Sequence, residues 1–144
     1  GYKAIDSLRL EKGYRVWGAD ITPDETPYEA GLGFAVKLDK EFVGCEALLA
    51  EGDEPESRLC CLTLADPRAV ALGSEPVRVG DALVGRVTSG GYGYTVGKSI
   101  AYAYLPSRDA AVGTDGAVEI FGEWVEGVVV AEPLHDPAGE RIRS

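Results

Sequence analysis

"ALVGRVTSGGYGYTVGKSIAYAYLP", Ala82 to Pro106, decides how this chain folds. Its middle, "SGGYGYTVGKS" (Ser89 to Ser99), has the look of a phosphate-binding loop, with glycines at 90, 91, 93 and 97 followed by Lys-Ser. The nucleotide pattern G-x-x-x-x-G-K-[ST] requires a glycine five residues before the Gly of Gly-Lys-Ser. That glycine is Gly97, and the required position holds Tyr92. The dinucleotide pattern G-x-G-x-x-G fails as well, because Gly91 and Gly93 are followed by Gly97, one residue late. A phosphate loop must also run into a helix whose N-terminus holds the anion. Here it runs into "KSIAYAYLP" (Lys98 to Pro106), which is β-branched and aromatic, stops at a proline, and reads as a strand. The stretch is therefore a glycine-rich hairpin connection that displays Tyr92 and Tyr94. These rings either pack onto the scaffold or present one face to a ligand or a neighbouring domain.

The pattern extends outward from this hairpin. "RLCCLTL", "PVRV", "ALVGRVTS", "KSIAYAYLP", "GAVEIFG" and "EWVEGVVVAEPL" are short runs rich in Val, Ile, Leu and Tyr, separated by Gly, Pro and Asp turns. Such spacing predicts an antiparallel all-β barrel or sandwich from Ser57 to the end. "IAYAYLP" sets Ile100, Tyr102 and Tyr104 on one side of a strand and alanines on the other, and the small side allows a neighbouring layer to approach closely.

Before Ser57 the character changes. "GYKAIDSLRLEKG" is a helix pattern with Tyr2, Ile5 and Leu8 at i, i+3 spacing and Gly13 at its C-terminal end. "FAVKLD" (Phe34 to Asp39) alternates and predicts a strand, and "FVGCEALLAEG" (Phe42 to Gly52) predicts a short helix ended by Gly52. "EGDEPES" (Glu51 to Ser57) is an acidic, proline-containing connection. The division is residues 1–56 against 57–144. One strand and two helices do not close a core by themselves, so the first block needs partners. The helix pattern starts without a capping residue or lead-in, and methionine is absent throughout. The expectation is a piece of a longer protein.

The 144 residues carry a net charge of −10, which repels nucleic-acid backbones, and the 14 basic residues form no run that suits an anionic membrane. Neither nucleic acid nor a membrane is expected as a partner. Cys45, Cys60 and Cys61 are odd in number and include no Cys-x-x-Cys, so neither a disulfide framework nor a zinc site follows. Free thiols suit a reducing compartment, and a cytoplasmic location is expected. His135 beside Asp136 reads as a surface turn, and no cluster with metal-ligand spacing is present. "DSLRLEKGYRVWG" (Asp6 to Gly18) is different. It sets Tyr14 and Trp17 close to Arg9 and Arg15, and aromatics beside arginines can hold a flat, acidic ligand.

Three stretches, "DSLRLEKGYRVWGADITPDETPYEAGLGFAVKLDKEFVGCEAL", "GRVTSGGYGYTVGKSIAYAYLP" and "EPLHDPAGERIR", together resemble the folate-binding family of the glycine cleavage T-protein, the aminomethyltransferases. The likeness covers the C-terminal part of that family's unit. Within the family it is closest to the folate-binding region of dimethylglycine oxidase and of dimethylglycine and sarcosine dehydrogenases. T-proteins proper tend to carry Phe-Ser-Pro where this chain has Tyr92-Gly93-Tyr94, and a folate-binding Arg where it has Ile5.

The resemblance implies an α+β fold, in which the tail of an α+β folate-binding domain precedes a small antiparallel β-barrel. It implies tetrahydrofolate as cofactor, with FAD confined to a separate N-terminal domain. It implies no catalytic residue within these 144 positions, because the family's key Asp lies in the part of the unit before them. The implied partners are folate and the remainder of the same polypeptide. The implied folate contacts are Tyr14 first, then Trp17 and Tyr94 by stacking, and Arg141 and Arg143 by pairing with the glutamate tail. A plain aminomethyltransferase and a stand-alone folate-binding or assembly domain are the alternatives.

Overall fold

The computed structural model describes residues 1–143. Six antiparallel strands close into a barrel: β1 (Ser57–Leu64), β2 (Pro76–Val79), β3 (Ala82–Gly93), β4 (Lys98–Pro106), β5 (Asp115–Ile120) and β6 (Glu123–Val130). Their order around the barrel is β1-β4-β3-β2-β5-β6, and β6 pairs back onto β1 through Cys61–Leu64 against Gly127–Val130. Closure removes the open edges that a flat sheet of this size would expose. All six β runs of the sequence form strands, and the glycine-rich stretch is a β3–β4 hairpin in which Gly93 pairs with Lys98.

Residues on β1 and β4 are buried on both faces, and the two faces do different work. Cys60, Leu62, Ala101, Ala103 and Leu105 point into the barrel, where they meet Val77, Val87, Val118, Ile120 and Val129. The alanines of "IAYAYLP" thus face the opposite wall of the barrel and let it close tightly. The outward set, Leu59, Cys61, Ile100 and Tyr102, forms a second core with Leu10. Leu10 belongs to α1 (Tyr2–Glu11), which lies on the outside of the barrel.

The glycines of the hairpin explain how α1 gets so close. A Cβ added at Gly91 would stand 2.8 Å from Leu10 Cδ1. One added at Gly93 would stand 2.7 Å from Ile100 Cδ1, 2.8 Å from Val96 Cγ2 and 3.0 Å from Glu11 Cγ. These glycines make room for a helix rather than for a phosphate.

Two expectations for the first block change. Phe34–Asp39 is not a strand: Gly33–Ala35 is a 3-10 turn and Phe34 is exposed. Alternation alone does not make a strand without a hydrogen-bonding neighbour, and the barrel's six strands pair only with one another. The second helix does form, as α2 (Cys45–Glu51), with Gly44 in the left-handed region before it. The other change concerns α1. The apolar stripe that predicted it, Tyr2, Ile5 and Leu8, faces outward, while the face on the barrel is Ser7, Leu10 and Glu11. The chain ends in one helical turn, α3 (Glu140–Arg143).

Candidate functional site

Two polar residues of α1 hold the hairpin. Ser7 Oγ donates to the carbonyl of Tyr92 at 2.8 Å. The Glu11 carboxylate is 1% exposed and accepts from the amides of Thr95 (2.6 Å) and Val96 (3.2 Å). A buried carboxylate is tolerable because main-chain donors surround it. The clamp fixes the backbone on both sides of Tyr94 and leaves its ring 80% exposed, with the Tyr92 ring edge-on at 5.0 Å between centroids. Tyr94 is the displayed ring of the pair; Tyr92 is the half-buried one.

At its other end α1 turns into the aromatic loop. Tyr14 is 56% and Trp17 71% exposed, yet the main chain beneath them is tied down. Val16 C=O accepts from the amides of Ala19, Asp20 and Ile21, which closes a tight turn with Trp17 and Gly18 at its tip. Tyr14 N–H bonds back to Arg9 C=O. The two arginines near these rings are spent inside the fold. Arg9 Nη1 meets Asp20 Oδ2 at 2.6 Å and Ser89 Oγ at 3.1 Å. Arg15 pairs with Glu132, donates to the carbonyls of Gly13 and Ala30, and lies 5.8 Å from the Tyr102 ring. Neither guanidinium is open to a ligand, which corrects the reading of these arginines as ligand-pairing neighbours of Tyr14 and Trp17.

Under this loop sits the outer core of Leu10, Cys61 and Tyr102. Tyr102 donates to Leu10 C=O at 3.2 Å, a second donor beside Gly13 N–H on that carbonyl at the end of α1. Burial pushes the Cys61 thiol up to about 12 and the Cys60 thiol to about 11. It also pushes the hydroxyls of Tyr102 and Tyr104 above the usual phenol range. All four groups stay protonated at neutral pH and act as donors or packing, not as nucleophiles.

The C-terminal segment is fastened to the same end of α1. His135 N–H bonds Glu11 C=O at 2.9 Å, and Lys12 Nζ reaches the carbonyl (2.9 Å) and carboxylate (3.2 Å) of Asp136. Asp136 Oδ1 accepts from Glu140 N–H at the start of α3. Burial pulls the Asp136 pKa up, but the bonds from Lys12 and Glu140 outweigh it and the net shift is down. His135 and Asp136 therefore form no catalytic dyad; the carboxylate is committed to Lys12 and the turn.

Arg141 and Arg143 are exposed on α3, where Arg143 folds back onto Ala138 C=O. The last turn of α1 thus brings together the loop of Tyr14 and Trp17 and the segment that carries the two arginines. Tyr94 stands apart: among the described residues its only ring contact is Tyr92. The surface hollows lined by Thr63, Lys98 and Glu126, or by Leu38, Phe42 and Leu49, include none of these five residues. The sequence did not reveal Asp20 or Glu11 as the residues that hold the site. A buried carboxylate leaves no pattern in a single chain: Glu11 is one of several charged residues on α1, and Asp20 lies in a loop.

The chain is thus a closed six-stranded antiparallel barrel, overlaid by a helix and presenting exposed aromatics from latched loops. Residues 58–136 match the glycine cleavage T-protein C-terminal barrel domain and residues 1–40 match the GCVT N-terminal domain, and the chain belongs to the glycine cleavage T-protein family. It is 42% identical over 146 residues to a 4-methylaminobutanoate oxidase (formaldehyde-forming) of Paenarthrobacter nicotinovorans and 40% identical over 148 residues to human mitochondrial dimethylglycine dehydrogenase. Each comparison uses 99% of this chain but only 18% and 17% of those relatives. Among solved structures it is similar to glycine cleavage system aminomethyltransferase T from Bartonella henselae, with a TM-score of 0.86 at 31% identity over 93% of this chain and 38% of that one.

Proposed function

We propose that this chain forms one wall of a tetrahydrofolate site within a folate-dependent one-carbon transfer unit of the dimethylglycine and sarcosine oxidase or dehydrogenase type. The observation that carries the reading is the pair Tyr14 and Trp17, exposed as side chains while their backbone is pinned. Exposed rings on a rigid loop offer flat apolar area at little ordering cost, which suits a pterin or aminobenzoyl ring. Arg141 and Arg143, both exposed on α3, supply the positive charge for a glutamate tail. Tetrahydrofolate supplies the nitrogen that accepts the one-carbon unit, and FAD in a separate domain supplies the oxidation of the N-methyl amine. No residue of this chain is assigned to either chemical step, and the catalytic Asp of the family belongs to a segment outside it.

The outward stripe of α1 supports the same reading. Tyr2, Ile5 and Leu8, with Phe34 and Val43, form exposed apolar surface of the kind that covers another part of the same domain. Ile5 and the Tyr92-Gly93-Tyr94 run favour the oxidase and dehydrogenase branch over a plain aminomethyltransferase. A reducing, cytoplasmic setting is part of the proposal, on the ground of the three free thiols. The test is Tyr14→Ala in the full parent polypeptide. Calorimetry should show tetrahydrofolate affinity falling about 2- to 13-fold, the scale of one lost aromatic stack, with the melting temperature held. Wild-type affinity in that variant removes Tyr14 from the site.

A further inference from the structure

The aromatic loop is held by one buried carboxylate. Asp20 is 1% exposed and gathers donors from three directions. Arg9 Nη1 comes from α1 at 2.6 Å to Oδ2, and Val16 N–H comes from the loop itself at 3.0 Å to the same oxygen. Thr88 Oγ1 (2.6 Å) and Ser89 Oγ (2.5 Å) come from β3, both to Oδ1. The main-chain carbonyl of Asp20 accepts from Tyr104 of β4 at 2.8 Å.

The two hydroxyls are the telling feature. Successive side chains on a regular strand point to opposite faces. Thr88 and Ser89 reach one oxygen because the β3–β4 register shifts between Val87 and Ser89, a bulge that turns both hydroxyls to the same side. A ladder irregularity, two hydroxyls, a guanidinium and a phenol thus converge on a residue three positions from Trp17. A barrel needing only a covered outer face would be served as well by apolar contacts, because a buried ion pair is weak evidence of stability by itself. What the arrangement adds is a single fixed geometry for the loop.

We propose that Asp20 is the positioning residue of the Tyr14–Trp17 loop: its carboxylate fixes where the two rings stand and so sets the affinity for tetrahydrofolate. The inference rests on the folate reading above. Asp20 touches no ligand; it acts through the Val16–Ile21 turn that it closes.

Two variants of the full parent polypeptide test it. Asp20→Asn keeps the shape but leaves Arg9 buried without its counter-charge, and that variant can fail to fold. Tyr104→Phe is the milder variant, keeping the ring and losing only the bond to the Asp20 carbonyl. The readouts are the tetrahydrofolate Kd by calorimetry, the melting temperature, and the 19F signal of 5-fluorotryptophan at position 17, assigned by its loss in Trp17→Phe. Tyr104→Phe should raise Kd about threefold or more, the scale of one lost hydrogen bond. It should also shift the Trp17 signal while leaving that of Trp124 in place, with melting close to wild type. Asp20→Asn, if folded, should do both more strongly. A change in Kd without a moved Trp17 signal, or the reverse, overturns the proposal. So does a Tyr104→Phe variant that is wild type in both while Tyr14→Ala still weakens binding. Wild-type affinity in Tyr14→Ala overturns the folate reading itself, and the positioning role with it.

Discussion

At the scale of single residues, the buried acids and thiols of this chain are matched to their surroundings in opposite senses. Glu11 and Asp20 are buried as carboxylates and ringed by donors. Cys60, Cys61, Tyr102 and Tyr104 have few donors around them, and desolvation holds their protons on. The sign of the resulting pH dependence follows. A group whose pKa is higher in the folded chain contributes stability that is complete below its unfolded value and is lost as pH rises toward the folded one. With unfolded values of about 8.5 for a thiol and about 10 for a phenol, stability should fall between pH 8 and pH 11. The urea midpoint at those two pH values is the measurement, and Cys61→Ala should flatten part of the slope. An unchanged midpoint in the natural chain would show that burial does not hold these protons on. The sequence made the burial of Cys60 and Cys61 legible through their apolar neighbours. It did not show that they face opposite sides of β1, one inward with Leu62 and one outward with Leu10.

At the scale of elements, the contact between α1 and the β3–β4 hairpin is the joint on which the candidate site depends. Ser7 and Glu11 hold the hairpin's main chain, and Leu10 fills the space that Gly91 leaves open. Gly93→Ala places a methyl group 2.7 Å from Ile100 and 2.8 Å from Val96, closer than a real Cβ stands to a neighbour, and tight against Glu11 at 3.0 Å. Overpacking of this kind costs about 1–3 kcal/mol. Gly93→Ala should lower the stability of the chain by that amount in denaturant titration, and hydrogen exchange at the Thr95 and Val96 amides should speed up as α1 lifts away. A variant as stable as the natural chain, with those amides still protected, would show that the hairpin does not need α1 so near. Helix and hairpin were both readable from periodicity and turn residues. Their contact was not, because the apolar stripe that announces α1 faces away from the barrel and the face that docks carries a serine and a glutamate.

At the scale of the whole molecule, the chain has one closed, well-filled barrel and a first block that leaves large apolar side chains uncovered. Trp17, Phe34 and Val43 are all exposed, as is the outer stripe of α1. In the proposed reading these surfaces and the aromatic loop belong to a cavity that several parts of a longer polypeptide complete. The 144-residue chain alone should therefore bind tetrahydrofolate weakly or not at all. Calorimetry that finds micromolar or tighter binding to the isolated chain sinks the idea that other segments close the site.

The sequence by itself determined the strands, the hairpin, the two helices of the first block and the family. Those depend on local periodicity, turn chemistry and long runs of matching residues, all present in the order of amino acids. Only the tertiary structure decided that Phe34–Asp39 forms no strand, that α1 docks by the face of Ser7, Leu10 and Glu11, and that Arg9 and Arg15 are internal counter-ions. It also turned Gly91 and Gly93 of "SGGYGYTVGKS" from part of a suspected anion cradle into clearance for a helix. The reason is physical. A charge or a missing side chain takes its meaning from what lies within a few ångströms in space, and Asp20 meets Thr88, Ser89 and Tyr104 across more than sixty residues of chain.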